Sequence, residues 1–374
     1  MLSHNKSTLD LKIFLVIITI LVTLGFLFIY SSSCVYAAEK LGASNYFLKK
    51  QTIGLLLAII TLLCAQAVPL WLTRSLSSIF FGGSLALTCL GFIPGLAVTI
   101  HGSSRWLSLG GLIFQPSELL KLSWLILLAH LLAKKERALS RRPHTYLLII
   151  SLTTLAAITL LKQPDFGMAT LLVITTLLLL FIMRVNMKHL TITAGILAPT
   201  ALLLIILKPY RLQRILTFLH PWQDPHGAGF QIIQSLIALG SGGWWGLGIA
   251  QSKQKFFYLP MQHTDFIFSI IVEETGFVGA TIVIILYALL LYLGLRIAWK
   301  SQDNFSRILI IGCTLLISLQ ALMHLSVTTG LMPTKGIGLP FISYGKSSLI
   351  SLFAMVGLII NATKNKSSGY EKKQ

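Results

Sequence analysis

The chain has 374 residues, of which 55% are hydrophobic and 11% are charged, and its formal net charge is +19. Soluble domains usually carry about 25% charged residues, so this composition excludes a soluble globular protein, and the high apolar content excludes a disordered one. We therefore expect a polytopic membrane protein. In that class an excess of Lys and Arg belongs to cytoplasmic loops and does not indicate nucleic-acid binding.

Ten apolar runs follow one another along the chain, and each is close to the roughly 20 residues that a membrane-spanning helix needs. They lie near Leu11–Ser31, Ile53–Leu72, Ile79–Ile100, Ser117–Ala133, Tyr146–Leu161, Gly167–Met183, Leu190–Leu207, Phe266–Ile297, Ile308–Leu325 and Ser347–Asn361. They predict an all-α polytopic membrane protein with about ten transmembrane helices, forming a single domain over residues 1–374.

The distribution of Lys and Arg indicates the orientation in the cytoplasmic (inner) membrane. The densest cluster falls between the fourth and fifth runs: Lys134, Lys135, Arg137, Arg141 and Arg142. Basic residues after the sixth, eighth and tenth runs lie on that same side. Because cytoplasmic loops are enriched in Lys and Arg, and because ten is an even number, both termini are predicted to be cytoplasmic.

A long segment, about residues 208–265, separates the seventh and eighth runs on the outer side. Long connections are usually functional or disordered, and this one is too rich in glycine and aromatic residues to be a disordered tether. We expect it to fold onto the membrane surface, with Trp and Tyr side chains at the level of the lipid headgroups.

The sequence contains only eleven carboxylates, so candidate acids can be found by elimination. Four lie in cytoplasmic segments and are interpreted as solvated charges: Asp10, Glu136, Asp303 and Glu371. Seven remain as candidates, because an ionisable group inside or beside a span is costly and usually functional. These are Glu39, Glu118, Asp165, Asp224, Asp265, Glu273 and Glu274.

Glu118 and Lys121 are three residues apart at the start of the fourth run, so they share one helical face. Two interpretations stay open. The pair forms a structural ion pair, or Lys121 and the nearby Arg105 present positive charge to an anionic ligand.

Asp265 stands at the boundary between the long segment and the eighth run, in the sequence His263-Thr264-Asp265-Phe266. It either caps the following helix or acts as a general base at the outer face of the membrane. Further along the helix, Glu273 and Glu274 point in different directions and are expected to serve different partners. His263 is a candidate switch or ligand by residue type, although a lone His is more often structural.

Basic residues outnumber acidic ones on the outer side. They are Arg105, Lys162, Arg211, Arg214, Lys253, Lys255, Lys335 and Lys346. Beside helix ends and glycine turns, such residues suit a phosphate-bearing lipid headgroup. The residues alone therefore predict an outer-face site for an anionic, lipid-linked ligand.

Five ordered blocks match a known pattern. They are Gly102–Gly110 running into Gln115–Lys121, Gln163–Gly167, Tyr210–Pro225, Gln231–Phe266, and Pro333–Gly345. With these blocks the sequence resembles the SEDS family, the FtsW/RodA group of cell-wall glycosyltransferases, across nearly all ten runs. The block that begins Pro333-Thr334-Lys335-Gly336 resembles the division-associated FtsW branch more than the RodA branch.

The resemblance implies an inverting peptidoglycan glycosyltransferase that polymerises lipid II at the outer face of the cytoplasmic membrane during cell division. It also implies a class B penicillin-binding protein and other divisome components as partners, besides membrane lipids. The essential aspartate of the family maps onto Asp265. Its blocks imply substrate-binding roles for Arg105, Glu118, Lys121, Asp165, Arg211, Arg214, Gln234, Ser235, Lys255, His263, Thr264, Lys335 and Ser343. No metal-ligand cluster is evident, and participation of a divalent cation (Mg²⁺ or Mn²⁺) is left open.

The sequence departs from the family pattern at three places. Gly248-Ile-Ala-Gln251-Ser252 stands where members usually have Gly-Leu-Gly-Asn-Ser. Met261 stands where members usually have glutamate, and Lys346 stands where they usually have glycine. Two other functions are compatible with the sequence: a lipid II flippase, which needs access from both membrane faces, and a non-catalytic scaffold for the penicillin-binding protein.

Overall fold

The computed structural model describes residues 2–93, 95–100, 103–109, 112–134 and 143–364. Within these ranges the chain forms thirteen α-helices. They are α1 (Leu2–Leu41), α2 (Tyr46–Ala67), α3 (Leu70–Ser75), α4 (Ser77–Cys89), α5 (Pro116–Lys134), α6 (Pro143–Lys162), α7 (Phe166–Ile182), α8 (Met187–Ile206), α9 (Pro209–Leu219), α10 (Phe230–Ser241), α11 (Ile267–Trp299), α12 (Asn304–Thr328) and α13 (Lys346–Lys364).

The chain is a mostly helical, multi-pass membrane protein, as its composition predicts. Among the described residues, eight helices are long and apolar enough to cross a membrane: α1, α2, α5, α6, α8, α11, α12 and α13. The third and sixth predicted spans correspond to the shorter apolar helices α4 and α7. The count of ten transmembrane helices therefore stays a prediction.

The third predicted span, which was drawn to Ile100, is wrong at its C-terminal end. After a 3-10 turn at Leu90–Phe92, Gly95 adopts a φ of +93°, which ends the helical path. The chain then forms an antiparallel sheet in the order β1-β2-β3, with strands Ala97–Ile100, Ser103–Leu109 and Leu112–Phe114. Its β-branched residues favour strands, and a hydropathy window cannot distinguish them from a continuing helix.

The long segment before α11 contains two helices, α9 and α10. On α9 the side chains of Leu212, Leu216 and Leu219 are exposed along one face, whereas Arg211 is buried. A helix with an exposed apolar face and a basic opposite face suits the boundary between lipid and water. Trp222 and Trp245, elsewhere in this segment, are also exposed. Their predicted place at the level of the headgroups stays a prediction.

Ion pairs join the beginning of α1 to the end of α11. Asp10 Oδ2 lies 3.2 Å from Arg296 Nε and 2.5 Å from Lys300 Nζ. The prediction that Asp10 is a solvated loop charge is therefore wrong, because its side chain is buried within the bundle. Asp303 is not merely solvated either, since it caps α12 by accepting from Ser306 N at 2.9 Å.

The described chain ends lie far from the beginning of α11. The part of this helix after Gly276, residues 277–299, has a length of roughly 35 Å at 1.5 Å per residue, and Asp10 near the start of the chain pairs with residues at its far end. Near the end of α13, the last helix of the chain, Asn361 donates to the carbonyls of Ala65 and Val68 at the end of α2. Of the other predicted cytoplasmic residues, Lys134 is the last residue of α5. The structure does not describe Lys135, Glu136, Arg137, Arg141, Arg142 and Glu371.

A break in α11 is bonded to the glycine-rich segment of residues 242–248, which precedes this helix in the chain. Gly276 has φ 68° and ψ −166°. The N–H groups of the two residues after it donate to the carbonyls of Gly243 and Trp244, at 2.8 and 3.2 Å. In return, the N–H groups of Leu247 and Gly248 donate to carbonyls of the turn before the break, at 2.9 and 3.0 Å. The break thus exchanges intrahelical hydrogen bonds for bonds to this segment.

The carboxylates of Glu273 and Glu274 strengthen this attachment. Glu273 accepts from Ser252 Oγ and, at 2.9 Å, from Lys253 N. Glu274 accepts from Ser31 Oγ at 2.6 Å and from Ser252 N at 3.4 Å. The two carboxylates share Ser252, but each also has a partner of its own, Lys253 for Glu273 and Ser31 of α1 for Glu274. The expectation of different partners therefore holds only in part.

Replacing Gly276 with alanine should destabilise the protein by about 1–3 kcal/mol or more, because this backbone region is essentially restricted to glycine. The added Cβ would also lie 2.4 Å from Gly246 N and from Trp244 O. Thermal unfolding in detergent measures the effect. Gly83→Ala is the matched control, because nothing lies within 4 Å of its Cβ position, and alanine favours a helix. Equal unfolding temperatures for Gly276→Ala and Gly83→Ala would contradict this account.

Candidate active site

A cavity of about 730 Å³ lies where the first turns of α5, α7 and α13 approach the turn before α11. Polar side chains from distant parts of the sequence converge on it. They include Lys50, Arg105, Gln115, Glu118, Asp165, Arg211, Arg214, Gln231, Thr264, Asp265, Gln320, Lys335, Ser343, Tyr344, Lys346 and Ser347. Six Lys or Arg side chains and three carboxylates share this space, so its lining favours an anionic ligand.

Asp265 lines the cavity and is held there by a tight turn. The carbonyl of Met261 accepts from the N–H groups of Thr264 and Asp265, each at 3.1 Å. Met261 itself has a φ of +55°. The helix α11 begins at Ile267 with Phe266 at its N-cap, so Asp265 lies one residue outside the capping position. Asp265 is therefore not the N-cap residue of α11.

Neighbouring elements fix this turn on two sides. The buried Gln262 donates through Nε2 to the carbonyls of Ser32 in α1, at 2.6 Å, and of Lys255, at 3.2 Å. On the other side, Ser343 Oγ donates to the Thr264 carbonyl at 2.7 Å. Because α1 holds the turn on one side and the segment before α13 holds it on the other, the position of Asp265 is determined by tertiary contacts.

Four cations surround the beginning of α7. The guanidinium of Arg211 and the ammonium of Lys335 lie 5.7 and 5.8 Å from the centroid of the Phe166 ring. Arg214 Nη1 donates to the Thr334 carbonyl at 3.4 Å, and Arg105 joins them from the central strand β2. We call Arg105, Arg211, Arg214 and Lys335 the α7 cation cluster.

Asp165 is the carboxylate within this cluster. It caps α7 by accepting from Met168 N at 3.2 Å, and it lies 3.6 Å from Arg105 Nη1. Gln115 Nε2 donates to it at 3.3 Å. Burial raises the pKa of Asp165, and the nearby Arg105 and the Met168 N–H act in the opposite direction. Asp165 therefore compensates one cation of the cluster and positions Arg105.

The positive charge of Lys335 is not compensated by a carboxylate as that of Arg105 is. It forms no ion pair with a carboxylate in the part of the chain that the structure describes. Burial lowers the pKa of Lys335, because a partly desolvated ammonium is disfavoured. An anion in the cavity would offset that cost.

Glu118 and Lys121 form a buried ion pair, with 2.7 Å between Lys121 Nζ and Glu118 Oε2. Lys121 also donates to Gln320 Oε1 of α12 at 3.0 Å. Its side chain is only 1% exposed and, unlike Glu118, it is not part of the cavity lining. Of the two interpretations of this pair, the geometry favours the structural one.

Besides Lys121, four of the predicted substrate-binding residues lie outside the cavity lining: Gln234, Ser235, Lys255 and His263. Ser235 is buried and donates to the carbonyl of Thr328 at 2.7 Å. Lys255 donates to the carbonyl of Ala250. Ser235 thus holds α10 against the end of α12, whereas Lys255 bonds within its own segment.

The ring of His263 packs against Phe47 and Tyr344, with 4.3 and 5.8 Å between ring centroids. Desolvation by burial lowers the pKa of His263 to about 4. The imidazole is therefore neutral around pH 7, which removes the basis for a switch that acts by changing its charge between pH 5 and 8.

Several lining residues are not among the predicted site residues: Lys50, Gln115, Phe166, Gln231 and Gln320. Lys346 is predicted only as one of the basic residues on the outer side. Gln115, Phe166 and Gln231 lie within the matched blocks, which is the signal that could have selected them. Lys50 and Gln320 lie outside every block, and only the packing of α2, α12 and α13 reveals them.

Within the described residues, no group of three or more His, Cys, Asp or Glu side chains could hold a metal ion. Two of the three cavity carboxylates, Asp165 and Glu118, are each paired with a cation. These residues do not form an oxygen cage for Mg²⁺ or Mn²⁺, so the mechanism below is derived without such an ion.

Known proteins share this architecture. Residues 11–368 match the FtsW/RodA/SpoVE family model, described as cell cycle protein. The chain is 36% identical to stage V sporulation protein E of Bacillus subtilis over 364 residues, which cover 97% of this chain and 99% of that protein. It is 40% identical to a probable peptidoglycan glycosyltransferase FtsW of Trichlorobacter lovleyi over 358 residues, which cover 94% and 92%.

Solved structures agree with these sequence relatives. One is a chain from a structure of the coordination of polymerization and crosslinking by a peptidoglycan synthase complex. It superposes with a TM-score of 0.76 at 32% identity, and the match covers 94% of this chain and 96% of that one. The rod shape determining protein RodA of Thermus thermophilus superposes with a TM-score of 0.68 at 27% identity, with 94% and 95% covered. The chain therefore belongs to the FtsW/RodA/SpoVE family of cell cycle proteins.

Proposed function

We propose that this protein polymerises lipid II into glycan strands during cell division, with Asp265 as the general base and the α7 cation cluster as the site for the donor pyrophosphate. The observation that carries this proposal is the shared cavity. The cavity contains the carboxylate of the His-Thr-Asp-Phe motif. It also contains a cluster of cations whose positive charge is larger than the negative charge of the carboxylates beside it. A transferase that acts on a sugar pyrophosphate needs both.

The base is required because a sugar hydroxyl is a poor nucleophile at neutral pH. The Asp265 carboxylate takes the proton from the 4-hydroxyl of the acceptor sugar while that oxygen attacks the anomeric carbon of the donor. The bond from the anomeric carbon to the pyrophosphate oxygen breaks on the opposite side. The product is therefore inverted at this carbon, and the lipid pyrophosphate leaves.

The leaving group gains negative charge as this bond breaks, so positive charge nearby stabilises the transition state. Arg105 is already paired with Asp165, whereas Lys335 has no carboxylate partner in the described chain. We assign Lys335, with Arg211 and Arg214, to the departing pyrophosphate. The leaving group is itself a weak base, so no second carboxylic acid is needed of the kind used in glycoside hydrolysis.

The orientation follows from the same chemistry and from the charges in the sequence. The cavity lies at the end of the bundle that holds the beginning of α11, and the described chain ends lie at the other. We propose that the cavity end faces outward, with both termini cytoplasmic. A class B penicillin-binding protein and other divisome components are the proposed partners. Similarity to a chain of a peptidoglycan synthase complex supports the penicillin-binding protein as a partner.

The test uses purified protein with labelled lipid II, with and without the partner, and separates glycan products by gel electrophoresis. Polymer that depends on this protein supports the proposal. Movement of lipid II between leaflets without polymer would instead indicate a flippase. Neither activity, with the partner still bound and active in crosslinking, would indicate a scaffold.

Replacing Lys335 with glutamine should lower the rate of polymerisation at limiting lipid II by about tenfold or more. A hydrogen bond to a charged group typically contributes about 1.5–3 kcal/mol. Lys162→Gln is the control, because Lys162 is an exposed lysine at the end of α6 that does not line the cavity. Equal rates for the two variants at limiting substrate would contradict the assignment of Lys335.

A further inference from the structure

We propose that Lys50 and Lys346 form a second phosphate subsite in the cavity, which binds the pyrophosphate of a second lipid-linked sugar. This inference rests on the proposed function, because a polymerase that joins two lipid-linked sugars must hold two pyrophosphates at once. The α7 cation cluster accounts for one of them. Lys50 and Lys346 line the same cavity from α2 and α13, which contribute nothing to that cluster.

The side chain of Lys346 is held in place by close packing against α2. A Cβ added at Gly54 would lie 2.9 Å from Lys346 Cγ and 3.3 Å from its Cβ, so the stem of the lysine occupies the space that this glycine leaves. Next to it, Gly345 N donates to Gln51 Oε1 at 3.3 Å, which ties the beginning of α13 to α2. The ammonium therefore starts from a fixed stem, as a binding group requires.

Lys50 approaches from the first turns of α2. Its ammonium donates to the hydroxyl of Tyr46 and lies 4.2 Å from the centroid of that ring. This contact leaves the positive charge uncompensated. Neither Lys50 nor Lys346 forms an ion pair with a carboxylate among the residues that the structure describes.

The position of Lys346 is electrostatically unfavourable without a ligand. It is the first residue of α13, and the N-terminus of a helix carries partial positive charge that favours anions and disfavours cations. A second ammonium, that of Lys50, lines the same cavity. A phosphate group would be stabilised by both ammonium groups and by the free N–H groups of the helix end.

Gln115 separates this subsite from the α7 cation cluster. Its side chain donates to Asp165 Oδ2 at 3.3 Å, and its backbone N–H donates to Ser347 Oγ at 3.1 Å. One residue thus contacts the carboxylate of the first cluster and the residue after Lys346. The two groups of cations belong to one cavity, but different elements hold them.

The experiment measures how many equivalents of a short-chain polyprenyl pyrophosphate bind to the purified full chain in neutral detergent, by titration calorimetry. The matching polyprenyl alcohol controls for binding of the chain alone. We expect two equivalents for the wild type. Lys50→Gln and Lys346→Gln should each weaken one of them by about tenfold or more, since each removes a charged hydrogen-bond donor. The equivalent that remains shows that the variants are folded.

Three further variants separate charge, geometry and general effects. Lys49→Gln, at an exposed neighbour outside the lining, should bind two equivalents as the wild type does. Lys346→Arg should retain both, because it keeps the charge. Gly54→Ala should weaken the same equivalent without removing a charge, because the new methyl group displaces the Lys346 stem.

The proposal would be overturned if Lys50→Gln and Lys346→Gln both bound two equivalents of the pyrophosphate with wild-type affinity. It would also be overturned if the wild type bound only one equivalent. Competition by phosphatidylglycerol as strong as that by polyprenyl pyrophosphate would also overturn it, since the site would then bind ordinary lipid headgroups. Wild-type protein that makes no glycan but binds two equivalents would contradict the proposed function and leave the second subsite in place.

Discussion

Asparagine in place of Asp265 should lower the rate of glycan polymerisation by about 100-fold or more, because a positioned general base typically contributes a factor of 10²–10⁴. The amide has nearly the same shape as the carboxylate but cannot accept the proton of the sugar hydroxyl. The turn that holds this residue uses backbone groups of Met261, Thr264 and Asp265, so the fold should be preserved. Labelled lipid II, separated by gel after timed reactions, measures the loss.

Glu39→Gln is the matched control for this experiment, because it removes the charge of an exposed carboxylate near the end of α1, outside the cavity lining. It should polymerise at the wild-type rate. Membrane insertion and thermal unfolding should be unchanged in both variants. A wild-type rate for Asp265→Asn would exclude Asp265 as the base.

The second large effect is expected on stability rather than on substrate use. Replacing Lys121 with methionine leaves the buried Glu118 without the ammonium that lies 2.7 Å away. Removing one partner of a buried ion pair typically costs about 3–5 kcal/mol, because the other charge stays buried and uncompensated. Thermal unfolding in detergent should therefore shift strongly to lower temperature.

A double variant distinguishes this structural role from substrate binding. Glu118→Gln together with Lys121→Met removes both charges and should recover most of the lost stability. It should also polymerise at limiting lipid II far better than its Lys121→Met parent. If Lys121→Met instead unfolds like the wild type but uses lipid II poorly, then Lys121 binds the substrate and the structural interpretation is wrong.

The site residues differ in how far they could be predicted. Asp265 and Lys335 were selected from ordered motifs, and both line the cavity. Lys255 and His263 come from the same stretch of sequence as Asp265, yet neither lines it. Adjacent residues in a turn point in different directions, so a motif identifies a segment but does not say which of its side chains reach the cavity. Glu118 and Lys121 show the same limit within one helical turn.

Hydropathy and composition alone determine that this chain crosses a membrane, because an apolar run of about 20 residues is a local property that does not depend on the rest of the fold. The motif around Asp265 is equally local. Only the tertiary structure decides which cations share a cavity, since Arg105 reaches the Gly336 carbonyl across 231 positions of sequence. It also decides that Asp10 pairs with Lys300, 290 positions away. The spacing of residues along one helix carries no information about which distant helix packs beside it, because packing depends on the shapes and charges of both.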